Sequence, residues 1–308
     1  MSKRIITMPI MGKDNTEIMK EFLESLDLNV VLPPSITDNT IKLGVKHSAE
    51  MICIPYKTTL GNYIEALDNG ANTLLAYDTK GTCRFRQYNS LHETTLRGLG
   101  YEFEMHVVNP TNILSKLREL SGKSTWKILT ELRTHYKRLK ENEEQEWSDE
   151  NPNIGIIGEL YCCVDEKVNH NLEEKILKFG GNPINTATTS NFIKNKLSLF
   201  KLINFFERDP LKEYKKQAEE FIGDWRSGHA YENLYNLLDL KDRGADGIVH
   251  LAPLTCCPET TIEVYIDNIC KDNKIPLLRL PIDENSAEKN LETRLETFCE
   301  LLKMRGKK

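Results

Sequence analysis

Eight cysteines fall at positions 53, 83, 162, 163, 256, 257, 270 and 299, and their neighbours separate those that could do chemistry from those that fill a core. Cys53 opens CIPYK, where Pro55 discourages a helix from continuing through the thiol. Cys83 stands in KGTCRFRQY, shortly after the apolar run Thr73–Tyr77, which reads as a short buried strand. Cys256 and Cys257 stand in APLTCCPE, after a second strand at Gly247–Leu251. Loops at the carboxyl ends of strands are where open α/β sheets place their ligands. Thiolates are soft ligands, suited to iron–sulfur clusters or zinc. Cys270 and Cys299 lie in amphipathic helical segments and read as small buried hydrophobes.

Cys162 and Cys163 end an extended run, Asn153–Tyr161, and are second-tier ligand candidates together with Cys257. Neighbouring side chains of an extended segment point to opposite faces, so one member of each adjacent pair would face a common site. The chain has no CxxC pair, and His47, His92, His229 and His250 keep no fixed spacing with the cysteines. Lys57 and Arg84 adjoin Cys53 and Cys83. A cation there lowers a thiolate's pKa and offsets the charge of an anionic cluster. Glu259 recurs beside Cys256 in the same way, as do Asn62, Glu159, His229, Asp283, Glu284 and Arg294 beside other loops. For each of these taken singly, capping or ion pairing is the plain reading. There is no Walker A motif, and Gly98-Leu99-Gly100 lacks the spacing of a dinucleotide fingerprint.

The elements that must position these residues alternate. The pattern predicts strands at Lys3–Pro9, Leu28–Leu32, Thr73–Tyr77 and Tyr101–Val108 in the first half. Helices are expected at Thr16–Leu26, Ile41–Glu50 and Tyr88–Leu99, with an amphipathic run after Leu60-Gly61-Asn62. The long, increasingly charged stretch Asn112–Gln145 reads as a surface helix and linker. Beyond it come helices at Asn169–Phe179, Phe192–Gly223 (interrupted near Asp209-Pro210), Ala230–Arg243, Thr260–Lys271 and Asn290–Lys303, with strands at Gly247–Leu251 and Pro276–Leu280. Such alternation implies α/β architecture with parallel, doubly wound sheets. Two domains are expected, residues 1–145 and 151–308.

A net charge of −5 gives no global footprint for nucleic acid. No stretch approaches the roughly 18 apolar residues of a membrane span, and Pro9 interrupts the N-terminal apolar run, which reads as a strand and not a signal peptide. A cytoplasmic protein with no nucleic-acid or membrane partner is expected, and in that compartment the cysteines are not structural disulfides.

With these residues in place, CIPYKTTLGNYIEAL, GTCRFRQY, IGIIGELYCCVDEKVNHNLEEKI, GADGIVHLAPLTCCPETTIEVYI and LPIDENSAEKNLETRLETF resemble, in order, the proteins related to CoA-substrate-specific enzyme activases and 2-hydroxyacyl-CoA dehydratase subunits. The resemblance implies two Rossmann-like domains facing a shared cleft, with an iron–sulfur cluster held by cysteines from both. It aligns Cys53, Cys83 and Cys256 with the family's ligand motifs, while Lys57, Asn62 and Glu259 fall within them. Many relatives carry a further cysteine where this chain has Lys80, and Cys162, Cys163 and Cys257 are additional here. A 4Fe–4S cluster is therefore the expectation, with a double-cubane cluster open. The implied role is to take low-potential electrons from an ATP-dependent activase or another reductase and pass them to a substrate, such as an acyl-CoA thioester, or to a partner. Radical dehydration or reduction is the reaction class that follows. A non-catalytic electron-transfer or cluster-carrier module is the alternative, and a zinc-binding or metal-free α/β scaffold the third. A homo- or heterodimer is the default assembly.

Overall fold

The computed structural model describes residues 3–78, 83–196, 209–223, 225 and 228–306. Two compact units divide the chain: Met1–Thr79 with Arg84–Glu144 and Phe192–Phe205, and Lys80–Cys83 with Gln145–Asn191 and Phe206–Lys308. Each is a mixed α/β unit with an all-parallel sheet.

In the first unit β1 (Ile6–Thr7), β2 (Thr73–Tyr77) and β3 (Glu104–Val108) pair in the order β1-β2-β3. The strand expected at Leu28–Leu32 shrinks to one bridge, Val30 beside Ile6, on the outer side of β1. With Val30 included, chain order across the sheet runs second, first, third, fourth. Leu74 packs with Tyr56, Leu60, Tyr63 and Leu96 on one face. Leu75 joins Met8, Leu23, Leu26, Leu117 and Ile128 on the other, as the two-residue period of a strand requires.

Helix α1 (Lys13–Glu24) starts earlier than its apolar pattern. Helix α2 (Asp38–Lys46) also starts early, because Thr37 and Thr40 form a reciprocal capping box. Helix α3 (Ile54–Asp68) begins immediately after Cys53 and runs straight through Gly61, where the sequence suggested a boundary. The reason is the crossing of α2 and α3, backbone on backbone. A Cβ on Gly61 would lie 2.0 Å from the Thr40 carbonyl oxygen, and one on Gly44 would lie 1.7 Å from that of Lys57. Helix α4 (Phe85–Gly98) follows β2. The single long helix expected over Asn112–Gln145 is two, α5 (Ile113–Ser121) and α6 (Thr125–Asn142), because Gly122 closes the first in the left-handed region and Ser124 caps the second.

In the second unit β4 (Asn153–Gly158), β5 (Asn182–Asn185), β6 (Gly247–Pro253) and β7 (Leu277–Ile282) pair in the order β5-β4-β6-β7. That is again second, first, third, fourth. Strand β5 was not expected, since Asn and Pro are poor strand formers; it lies at the sheet edge, where the missing N–H of Pro183 is tolerated.

The expected strand through Tyr161 ends at Gly158, and Leu160–Val164 forms the short helix α7. Helix α8 (Leu172–Lys178) and α9 (Thr189–Lys196) follow. The expected helix Phe192–Gly223 falls partly outside the described residues, where 197–208 lie; its last part is α10 (Lys212–Ile222). Helices α11 (Ala230–Asp242), α12 (Cys257–Asp272) and α13 (Glu288–Gly306) complete the unit. Helices α11 and α12 bury Leu234, Leu237, Ile262, Ile266 and Cys270 in one cluster with Ile157 and Ile248. Cys299 is fully buried on α13, so both helical cysteines are core residues. No described helix is long and apolar enough to cross a membrane.

Candidate functional site

Of the eight cysteines, Cys162, Cys163, Cys256, Cys270 and Cys299 are buried, Cys53 and Cys83 are partly buried, and Cys257 is exposed. The three favoured by spacing share one local setting, the start of a helix. Cys53 is the N-cap of the 15-residue α3, in extended backbone, with Pro55 in the first turn where a missing N–H costs nothing. Cys256 is the N-cap of the 16-residue α12, with Pro258 in the same place. Cys83 directly precedes Arg84, the N-cap of α4. Unsatisfied N–H groups and the positive end of the helix dipole favour an anionic sulfur at such positions.

Cys53 is half-buried, and its Sγ lies 2.8 Å from the Tyr88 hydroxyl on α4. Tyr88 packs edge-on to Tyr56 with centroids 4.8 Å apart, and Tyr56 stacks flat on His92 at 4.4 Å. His92 is buried, which depresses its pKa to about 4. Thr59 Oγ1 donates to the Pro55 carbonyl, so it accepts from His92 Nε2–H at 3.1 Å, which leaves Nδ1 unprotonated.

The two cations nominated for charge compensation bond the loop before Cys53. Buried Lys57 donates from Nζ to the Glu50 carbonyl at 2.9 Å, and Arg84 donates from Nη1 to the Met51 carbonyl at 3.0 Å. They fix the path of the chain into Cys53. Asn62 accepts from the Ile10 N–H.

In the second unit Cys256 is buried and Cys257 exposed. Pro253, Leu254, Thr255 and Cys256 form a tight turn, closed by Cys256 N–H on the Pro253 carbonyl at 3.0 Å. Its third residue, Thr255, has φ of 72°, a left-handed conformation that β-branched residues rarely adopt. Gly228 borders both Cys83 and this segment: a Cβ built on it would lie 3.8 Å from Cys83 Cβ and 3.0 Å from Pro258 Cγ.

Beneath Cys256 lies a buried polar network. Glu259, in the first turn of α12, accepts one N–H of the Asn233 amide shared between its two carboxylate oxygens, at 3.0 and 2.9 Å, and pairs with His250 Nε2 at 2.8 Å. Asn233 also holds both backbone groups of Gly158: its oxygen accepts the N–H and its amide donates to the carbonyl. Gly158, at φ 147°, has no room for a side chain, since a Cβ would sit 1.9 Å from the Leu251 carbonyl oxygen.

The next residue, Glu159, caps α7 by accepting the Cys162 N–H. Burial, reinforced by the nearby Glu259 carboxylate, pushes its carboxyl up to about 7. Cys162 and Cys163 are buried on α7 and not, as expected, on an extended strand end. Burial and the neighbouring Glu159, Glu259 and Glu173 carboxylates hold the Cys163 thiol well above its usual range, which opposes thiolate formation.

Asp283 makes a local turn with Ser286, and Arg294 donates to the Arg279 carbonyl, so both are structural. Asn233 had no signal in the sequence. For His250 the signal was present: a polar residue inside an apolar strand demands a buried partner. Among the described residues no group of three or more His, Cys, Asp or Glu side chains is placed to hold a metal ion, and Lys80 lies outside them. Neither the family models nor the curated proteins compared with the chain give a match.

Proposed function

We propose that this chain is an iron–sulfur protein of the dehydratase-related group, whose cluster is held by Cys53, Cys83 and Cys256. The observation that carries the reading is the common placement of these thiols. Each stands at the start of a helix, where thiolate is favoured, and Cys83 and Cys256 follow the carboxyl ends of parallel strands. The donor type fits an iron–sulfur cluster. Bound, such a cluster supplies one-electron chemistry at low potential.

Around it the chain's own residues have defined tasks. Lys57 and Arg84 fix the loop that presents Cys53, and the Pro253–Cys256 turn presents Cys256. The Rossmann-like character of each unit belongs to the same proposal. Its support is the shared strand order, with cysteine-bearing loops after β2 and β6, each next to the point where strand order reverses. An ATP-dependent activase as electron donor, and an acyl-CoA thioester as acceptor, follow from the resemblance.

The test is anaerobic purification with iron and acid-labile sulfide counted per chain, then EPR of the dithionite-reduced protein. About four of each supports a single cubane, and about eight supports a double cluster. Ser at position 53, 83 or 256 should lose most of the iron, whereas Cys270→Ser and Cys299→Ser should lose none. A reconstituted protein without iron overturns the reading in favour of a metal-free or zinc-binding scaffold.

A further inference from the structure

We propose that the β1–α1 loop, Met8–Gly12, together with Thr7 and Asn62, binds a phosphate-type oxyanion. The site uses none of the cysteines and does not rest on the iron–sulfur reading. The loop leaves β1 where strand order reverses, the position at which open α/β sheets take their ligands. It ends on Gly12, the N-cap of the 12-residue α1, with φ of 72° and no side chain to cap the helix. Among the described residues the N–H groups of Gly12, Lys13 and Asp14 meet no acceptor. Such donors, at the positive end of a helix dipole, attract an anion.

Asn62, on α3 across the sheet from α1, is fully buried and reaches the same loop. Its oxygen accepts the Ile10 N–H at 3.1 Å, which fixes the orientation of the amide, because an N–H can only donate. The amide nitrogen is left with both hydrogens and, among the described residues, no partner. Thr7, the last residue of β1, is fully buried too, and its hydroxyl also has no partner there. Its register with Leu74 puts it on the α3 side of the sheet, as Asn62 is. Buried donors without acceptors destabilise a fold, so two of them beside one loop point to a ligand that accepts. Exposed Lys13 adds a cation, while the exposed Asp14 carboxylate opposes it. A phosphate group has enough oxygens to take backbone and side-chain donors together. The missing glycine-rich fingerprint argues for a single phosphate and against a dinucleotide.

The test is hydrogen exchange of the full-length chain read by mass spectrometry, with sodium phosphate exchanged for sodium chloride at constant ionic strength. Phosphate should slow exchange saturably in the peptide that contains Met8–Asn15. Acetate at the same concentration should protect it less, since its two oxygens engage fewer donors. Thr7→Val keeps the shape and removes the hydroxyl. Asn62→Asp keeps an acceptor for the Ile10 N–H and replaces the free donor by an acceptor. Each should raise the phosphate dissociation constant about tenfold, the effect of one hydrogen bond to a charged group.

If Asn62→Asp fails to fold, wild type and the near-isosteric Thr7→Val decide the question. Absence of protection in the loop peptide, equal protection by acetate, or an unchanged constant in either folded variant would overturn the proposal and leave the buried donors to ordered water. The expected result is the same with or without iron, so failure of the cluster reading leaves it standing.

Discussion

The side-chain amide of Asn233 on α11 reaches both carboxylate oxygens of Glu259 on α12, at 3.0 and 2.9 Å, while its own oxygen holds the Gly158 N–H of β4. One side chain thus joins two helices and the end of a central strand, entirely out of water. Removing it strands a carboxylate oxygen and two backbone groups. Asn233→Leu, close in size, should cost roughly 3–5 kcal/mol, because unpaired buried polar groups retain their full desolvation penalty. Urea denaturation measures it; a loss under about 1 kcal/mol would show that the network contributes little to stability.

The α2/α3 crossing predicts an asymmetry between glycines. Gly61→Ala drives a methyl into the Thr40 carbonyl and should destabilise by about 2–3 kcal/mol, with the thermal midpoint falling accordingly. Gly98, near the end of α4, has no atom within 4 Å of a built Cβ. Gly98→Ala should leave stability unchanged or raise it by up to about 1 kcal/mol. Equal effects at the two positions would refute the close crossing.

Glu159 gives a pH dependence of definite sign. Its folded pKa of about 7 lies above the ordinary 4.5, so the unfolded chain releases the proton first as pH rises. The associated stability is present in full below about 4.5 and is lost as pH rises through about 7. Glu159→Gln keeps an acceptor for the Cys162 N–H but has nothing to ionise. Its stability relative to wild type should therefore improve between pH 4.5 and 8, read from denaturant midpoints at the two pH values. A constant difference would mean that Glu159 titrates normally. His92, depressed to about 4, contributes the opposite slope: its share is present above about 6.5 and is lost as pH falls through about 4.

Much of the fold was legible because local signals and packing agreed. Thr73–Tyr77 is a strand with the boundaries its apolar run suggests, and Ala230–Asp242 ends one residue short of expectation, just before Gly244. Two of the misreadings share one cause, tertiary contact outweighing propensity. Leu60-Gly61-Asn62 reads as the lead-in to an amphipathic run, yet Gly61 sits mid-helix because another backbone occupies its side-chain space. No element was expected at Asn182–Asn185, yet it pairs as an edge strand beside β4. For the candidate site, what was legible is the placement of Cys53 and Cys256 at helix starts, which follows from the prolines beside them. What holds those loops was not legible. Lys57, Arg84 and Asn233 act on backbone groups, and spacing along the chain does not reveal which carbonyl a side chain will reach.

The outer flank of β1 bears on self-association. Leu28–Leu32 is an apolar, β-prone run, and a full strand there would present a continuous row of unpaired N–H and C=O groups to a second chain. The structure commits little of it: Asn29 and Val31 bond Ile6 around the single Val30 bridge, and the chain then turns away into Pro33-Pro34, neither of which can donate. A template needs length and donors to recruit another strand. This edge is kept short at one end and donor-free at the other, so an apolar, β-prone segment is left ill-suited to begin amyloid-like pairing.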